Sequence, residues 1–512
     1  MTAMRPRRAE ALEAFALLVC ATSALAHQSA VVTPDRMGRA DFRIAFGSCS
    51  RHDRPQDVWG AIRGVRADAF VWLGDVIYAD GKLENGTRAY FGNDAHAAAF
   101  AIQNANPDYA ALREETRVLG TWDDHDFGYN NAGREWEEKE FAQRVFLDFL
   151  GEPHSSPRRH REGVYESYTF RGLGARGDRS ARLVLLDCRY HMSHEDGVLL
   201  GEDQWRWFER IMTGETVEDN TDVDPVDVTI IGSSIQVHAD TQRMLEGIAH
   251  GVESWGQFPR EKKRLMDLVE RSRRRSVFLS GDVHHAEVVT SPERCELPYE
   301  LVELTSSGMT HGILDEVPRK FGLRWAASLV VPDRLPTWLW PDVGTLQHER
   351  YVGHNFGEVA IDFEDEERSR GGNMPAASPV AAEDSSSPSG AAARPAHPRT
   401  DEATGSIRLN IRGKDGKVKI TKTVRLKDLE GTWTDVDVAA ARGEGEGAAA
   451  GRLREACRTE KDLTPLQAAR LPALAVLSLA GQPLVVIFSV IKLYTRMLKK
   501  LRRRKRKGRK EA

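Results

Sequence analysis

At 512 residues the chain is long enough for one large or two ordinary domains, and its 41% hydrophobic and 29% charged content is that of a soluble globular protein. A net charge of -4 points to no nucleic acid or other polyanion as partner of the chain as a whole. That balance is uneven, because Lys492 to Lys510 is dense in Lys and Arg and leaves the rest acidic.

Residues 1–26 read as a secretory signal: a basic start at Arg5, Arg7 and Arg8, an apolar Ala14–Ala24, and Ala24-Leu25-Ala26 as the cleavage site. An amphipathic first helix is the alternative. The main folded domain is expected over 27–363, beginning with a strand at Phe42–Gly47 that ends in Ser48-Cys49. A helix around Trp59, Ile62 and Val65 leads to the apolar run Phe70–Leu73, which stops at Gly74-Asp75 with Tyr78 close behind. The pattern predicts a helix over Pro107–Leu119, then a strand to Trp122 entering Asp123-Asp124-His125-Asp126. It predicts another helix over Glu135–Leu150, with Phe141, Val145 and Phe149 inward.

Further strands are read at Tyr165–Arg171, Arg182–Leu186 (ending at Asp187-Cys188-Arg189), Val228–Ile231, Val277–Leu279 (ending at Gly281-Asp282) and Leu301–Leu304. Helices at Gln204–Met212 and Lys263–Arg275 separate them. Trp205, Trp207 and Trp255 read as core rather than as a substrate platform. Alternating strands and helices mean an α/β fold in layers. Strand after strand ends in Gly, Ser, Asp, Cys or His, which collects polar groups at one edge.

Phe356–Phe363 is one more strand, followed by a Ser/Pro/Gly/Ala-rich insertion at 364–405 that reads as disordered. A hairpin at 406–430 turns at Lys414-Asp415-Gly416 and is expected to rejoin the same sheet system. After a stalk at 431–470, residues 471–491 are uncharged and of bilayer-spanning length, and the basic tail 492–512 follows. The positive-inside rule leaves that tail cytosolic, where it is suited to anionic lipid, and the bulk of the chain luminal or extracellular. A buried core helix or a GPI signal are the rivals, and the charged tail argues against both. Asn85-Gly86-Thr87 is then a glycosylation sequon, and four cysteines outside the signal are too few for a disulfide scaffold.

Cys49, Asp75, Tyr78, Asp124, His125, Asp282 and His284 at one edge would repel or lie unsatisfied without a cation. A thiolate, a phenolate and an imidazole suit trivalent iron, whereas carboxylates suit calcium or magnesium. A carboxylate shared between the two sites would hold the pair close, as two-metal phosphate hydrolysis requires. His238 and His285 stay outside this set.

The order GSC, GDxxY, WDDHD, SGDxH resembles the PhoD-like alkaline phosphatase D branch of the metallophosphatases. The resemblance covers about Phe42 to Gly312, and weakly the strands to Leu426. It implies a layered β-sandwich flanked by helices, with Fe3+ held by Cys49, Asp75, Tyr78 and His284. Asp75 would bridge to Ca2+ or another divalent ion, with Asp124 and Asp282 as its other ligands. The wider metallophosphatase pattern has Asn and His at those two positions, so two acids here favour the oxygen-loving ion. The resemblance further implies that His125 contacts the phosphate ester and protonates the leaving oxygen after attack by a metal-activated hydroxide. Arg189 is placed either to clamp a phosphate oxygen or to pair with Asp187. The expected function is a membrane-anchored hydrolase of phosphomonoesters or phosphodiesters. A phospholipid phosphodiesterase, or an inactive phosphatase-fold receptor or scaffold, are its alternatives.

Overall fold

The computed structural model describes residues 41–82, 88–214, 225–238, 253–291, 297–312, 347–363 and 405–430. The predicted signal, sequon, stalk, membrane span and basic tail, together with Cys295 and Cys457, lie outside these residues, as does 364–404 of the insertion. Among the described residues no helix is long and apolar enough to cross a membrane.

Two sheets carry the fold. The first runs β15-β14-β13-β1-β2-β5, with β1 (Phe42–Gly47), β2 (Ala69–Leu73) and β5 (Arg117–Thr121) parallel to one another. Against β1 lies antiparallel β13 (Asn355–Phe363), and the hairpin β14 (Gly405–Gly413) and β15 (Val418–Arg425) continues that sheet as the sequence led one to expect. The second sheet runs β12-β10-β11-β9-β8-β7-β6. Its parallel centre is β7 (Arg179–Leu185), β8 (Val228–Gly232), β9 (Ser276–Ser280) and β11 (Leu301–Ser306). At its edges lie β6 (Glu166–Leu173) on one side and β10 (Ala286–Ser291) with β12 (Gln347–Tyr351) on the other. A small hairpin of β3 (Asp80–Lys82) and β4 (Arg88–Tyr90) stands apart.

The period of two along a strand sorts the core into layers. Ala69, Val71 and Leu73 of β2 join one apolar cluster with Leu183, Ile230 and Leu279 of the second sheet, so the main core lies between the sheets. Phe70 and Trp72 of the same strand face the other way, into a second cluster with Trp59, Tyr109 and Phe146. That outer cluster is roofed by α1 (Trp59–Val65), α2 (Asn93–Ala105), α3 (Pro107–Glu115) and, beyond the single turn α4 (Asp124–Phe127), α5 (Lys139–Leu150). Over the second sheet, α6 (Glu202–Thr213) and α7 (Pro259–Ser272) bury Trp205, Phe208, Leu265 and Leu268. Trp205 and Trp255 are fully buried, and Trp207 packs half-buried on Tyr165.

Three local readings differ from the sequence expectation. The helix from Pro107 ends at Glu115, because Thr116 is extended and β-branched Val118 already belongs to β5. The inner face of α5 is Ala142, Phe146, Leu147 and Phe149, while Phe141 and Val145 are only half-buried. Helix α2 is additional to the sequence expectation, and His96, Ala99, Phe100 and Gln103 give it a buried stripe at helical spacing.

Register places the functional edge. Gly47 pairs with Trp72, Leu73 with Thr121, and Gly232 with both Leu185 and Leu279, so neighbouring parallel strands stop level. Thr121 Oγ1 donates to the Leu186 carbonyl at 2.8 Å and ties the two sheets together at this edge.

Candidate metal centre

Each loop that leaves this edge delivers one or two chemical groups. Cys49 follows β1, Asp75 and Tyr78 follow β2, Asp124 and His125 follow β5, and Asp282 and His284 follow β9. Seven non-glycine residues in the described chain have positive φ, and four are candidate ligands: Cys49, Asp75, Asp282 and His284. A left-handed backbone costs an L-residue about 1–2 kcal/mol. Its concentration here marks strain held for function. The glycines before both aspartates are dictated by space. A Cβ on Gly74 would overlap the Asp123 Cβ, and one on Gly281 would lie 2.5 Å from Ser48 Oγ.

Asp75 is the hub. Its Oδ2 accepts from the Cys49 thiol at 3.4 Å and from the Tyr78 hydroxyl at 3.0 Å, while its Oδ1 is buried with no hydrogen-bond partner. Tyr78 Oη also lies 3.4 Å from His284 Nε2. Two groups of potential ligand atoms, each lying within 4.8 Å of one another, share this residue: Cys49, Asp75 and His284, then Asp75, Asp124 and His125. Asp282 belongs to neither group, but its Oδ2, like Asp123 Oδ2, is a buried carboxylate oxygen without a hydrogen-bond partner.

Protonation reveals the strain of gathering these groups. Burial pushes the Cys49 thiol up to about 12 and raises the Tyr78 phenol well above its ordinary value. Burial, then the neighbouring Cys49 and Asp124, raise Asp75 far above the carboxylate range. Asp282 rises likewise, through burial and the charges of Asp123 and Asp124. Asp124 is the exception: burial opposes its ionisation, but His125 and Arg189 hold it down to about 2.

His125 is fixed by a residue that sequence reasoning left without a role. Its Nδ1 bonds to Asp80 Oδ1, its ring packs on Tyr78 at 4.1 Å between centroids, and its Nε2 faces Asp124 Oδ1 at 4.0 Å. Asp80 sits five residues after Asp75, a spacing that could have exposed it. Asp126 does structural work. Its Oδ1 accepts from Val76 N and Ile77 N at 2.9 and 3.0 Å, which locks the Asp75 loop to the Asp124 loop.

The Arg189 guanidinium does not pair with Asp187. Asp187 accepts only its backbone N–H, at 2.8 Å. The guanidinium is fully buried, with Nε on Asp123 Oδ1 at 2.5 Å and Nη1 on Glu253, which also holds His194 at 2.9 Å. Two of its nitrogens are thus bound to carboxylates while Nη2 has no hydrogen-bond partner, and Arg189 is an internal counter-charge to Asp123, Asp124 and Glu253. His285 and His238 stay outside the ligand groups; His285 turns toward Glu287 at 3.4 Å. His311, unread in the sequence, places Nε2 at 3.1 Å from Tyr78 Oη, and burial beside His284 lowers it to about 2.

The family model of the PhoD-like phosphatases matches residues 44–368, which is more than half of the chain. The chain belongs to the PhoD-like phosphatase family. Membership makes it a phosphatase-type hydrolase of a metal-dependent family, and the clustered ligand groups agree with that dependence. Among solved structures it is similar to PhoD, at 14% identity over 77% of this chain and 72% of that one, with a TM-score of 0.42. It is also similar to GAP50, the anchor in the inner membrane complex of Plasmodium, at 9% identity over 83% of this chain and 98% of that one, with a TM-score of 0.39. No curated protein matches the sequence.

Proposed function

We propose that this PhoD-like phosphatase is a two-metal phosphoric ester hydrolase. Cys49, Asp75, Tyr78 and His284 would hold a trivalent iron, and Asp75, Asp124 and Asp282 a calcium or similar divalent ion. The observation that carries the reading is Asp75, common to both ligand groups and left with a buried, unpartnered oxygen. The donor set fits: thiol, phenol and imidazole on one side suit a soft-tolerant trivalent ion, and carboxylates on the other suit a hard one. When bound, the ions supply Lewis-acid neutralisation of the phosphoryl oxygens and lower the pKa of water at neutral pH.

The chain's own residues do the rest. Asp80 fixes the His125 ring through Nδ1 and leaves Nε2 toward the site, where it can hand a proton to the departing ester oxygen. Tyr78 packs against that ring and restricts its tilt. Arg189 is assigned here as the counter-charge that lets Asp123, Asp124 and Glu253 share a buried pocket, not as a phosphate clamp. Support for tethering the unit to a membrane through 471–491, luminal or extracellular side outward, is the charge pattern around that segment.

The test is hydrolysis of p-nitrophenyl phosphate and of its bis-ester by the full chain before and after chelation. Activity that disappears with the metals and returns with iron and calcium upholds the reading, and the ratio of the two rates separates monoester from diester preference. A folded chain that hydrolyses neither ester with metals supplied would refute it.

A further inference from the structure

We infer that Ser307–His311, the segment leaving β11, is a donor strap: it aims one hydrogen bond at the Cys49 sulfur and another at the Tyr78 phenol oxygen, and so sets how strongly both ligands donate to the ion. The inference rests on the metal reading above and adds to it a control over the ion's acidity and redox potential.

Proton counting carries the argument, because a hydroxyl has a single proton to give. Ser307 Oγ accepts from the His284 backbone N–H at 2.7 Å, so its own proton is left for Cys49 Sγ at 3.0 Å. Ser48 Oγ, 3.5 Å from the same sulfur, is a poor rival because it donates to the Ser306 carbonyl. The pattern repeats at the other ligand. Thr310 Oγ1 accepts from Arg51 N at 2.7 Å and lies 3.3 Å from His311 Nδ1, and because the Tyr78 hydroxyl gives its proton to Asp75 Oδ2 its oxygen can only accept from His311. The ring proton of His311 then sits on Nε2, 3.1 Å from Tyr78 Oη.

The protons of Cys49 and Tyr78 themselves both point at Asp75 Oδ2. With an ion held by Cys49 and Tyr78 in place of these two protons, the two strap bonds would remain and would be charge-assisted to a thiolate and a phenolate. Such outer contacts tune a metal through its ligands. The strap is held rigidly enough to do so. Gly308 N and Met309 N both donate to the Ser48 carbonyl at 3.2 Å, Asn355 Nδ2 donates to Ser307 O at 3.1 Å, and Gly308 takes a φ of 122° that suits only glycine.

The experiment loads the purified full chain with ferric iron and records its visible ligand-to-metal charge-transfer absorption, its iron(III)/iron(II) potential and its iron affinity. Ser307→Ala and His311→Leu each remove one donor. Both should move the absorption to longer wavelength and the potential to a more negative value, with iron affinity changed by about tenfold, as outer contacts typically do. Ser307→Thr and His311→Gln, which keep a donor, should restore both readings and guard against a folding defect. Unmoved absorption and potential in both donor-less variants would overturn the strap while leaving the metal reading intact. A wild-type chain with no thiolate or phenolate absorption would overturn the ligand set and the strap with it. Complete loss of iron in His311→Gln would make His311 a ligand and refute the donor role.

Discussion

The two halves of the centre hold their charge in opposite ways. On the Cys49 side the described residues offer no cation among the groups that hydrogen-bond Asp75, Cys49 and Tyr78 point their protons at its Oδ2, and burial favours the uncharged form of all three. On the Asp124 side a fully buried Arg189 is built in, and it helps keep Asp124 ionised. The first half therefore waits for an ion to displace its protons, while the second keeps one carboxylate, Asp124, ionised beside a raised Asp282. The difference teaches that the first ion should bind with proton release and strong pH dependence, and that the second half should resist unfolding without a metal.

Breaking the shared element should have the largest effect. Asp75→Asn removes the one carboxylate common to both halves, and kcat/KM should fall on the order of a thousandfold, because each lost 1.4 kcal/mol of transition-state stabilisation is tenfold. The check is steady-state kinetics beside metal analysis. Next comes the counter-charge: Arg189→Met removes the buried cation that Asp123 and Glu253 share, leaving Glu253 with His194 alone, and should destabilise the fold by about 3 kcal/mol. Urea unfolding should show that loss even without metals, whereas Cys49→Ser should leave metal-free stability nearly unchanged.

His125→Gln should lower kcat by about a hundredfold for an alkyl phosphate, the ordinary scale of general-acid help. The loss should be smaller for p-nitrophenyl phosphate, whose leaving group needs no proton. Equal losses on both substrates would remove His125 from the role of acid.

The raised and the depressed carboxyls can also be separated by pH. Burial raises Asp123 to about 6 and Asp126 to about 7, and lifts Asp75 and Asp282 as well. Between the ordinary carboxylate value and these raised ones the folded chain binds more protons than the unfolded chain, so metal-free stability should fall as pH rises from about 4 to 7. Every tenfold difference in proton affinity between the two states contributes ~1.4 kcal/mol at most. The depressed Asp124 acts with the opposite sign, adding stability that is lost as pH falls toward 2. Thermal melts of the metal-free chain at pH 5 and 8 should show the lower Tm at pH 8, and metal loading should reverse the order.

Much of this edge was legible because parallel strands announce their own ends. An apolar run that stops at Gly-Asp or Ser-Cys names both a strand and the group it delivers, and register then brought Cys49, Asp75, Tyr78 and His284 within reach of one another. Long-range pairing was not legible. Nothing local to Arg189 names Asp123, 66 residues away, or Glu253, 64 residues away. Asp80 stood in plain view after Tyr78, but only the fold shows that its carboxylate meets His125. His311 sits beyond the end of β11, where the sequence shows a Ser/Gly/Thr turn and the structure shows a contact to Tyr78. Helix α5 illustrates a smaller miss: with apolar residues at 141, 142, 145, 146, 147 and 149, periodicity alone allowed its inner face to be read about one residue out of phase.

Metal stoichiometry tests the central claim most directly. Native mass spectrometry and elemental analysis of the full chain should find two ions per chain in the wild type and fewer than one in Asp75→Asn, since both ligand groups lose the same carboxylate. Two ions retained in Asp75→Asn, or none in a folded wild-type chain supplied with iron and calcium, would contradict the shared-carboxylate centre.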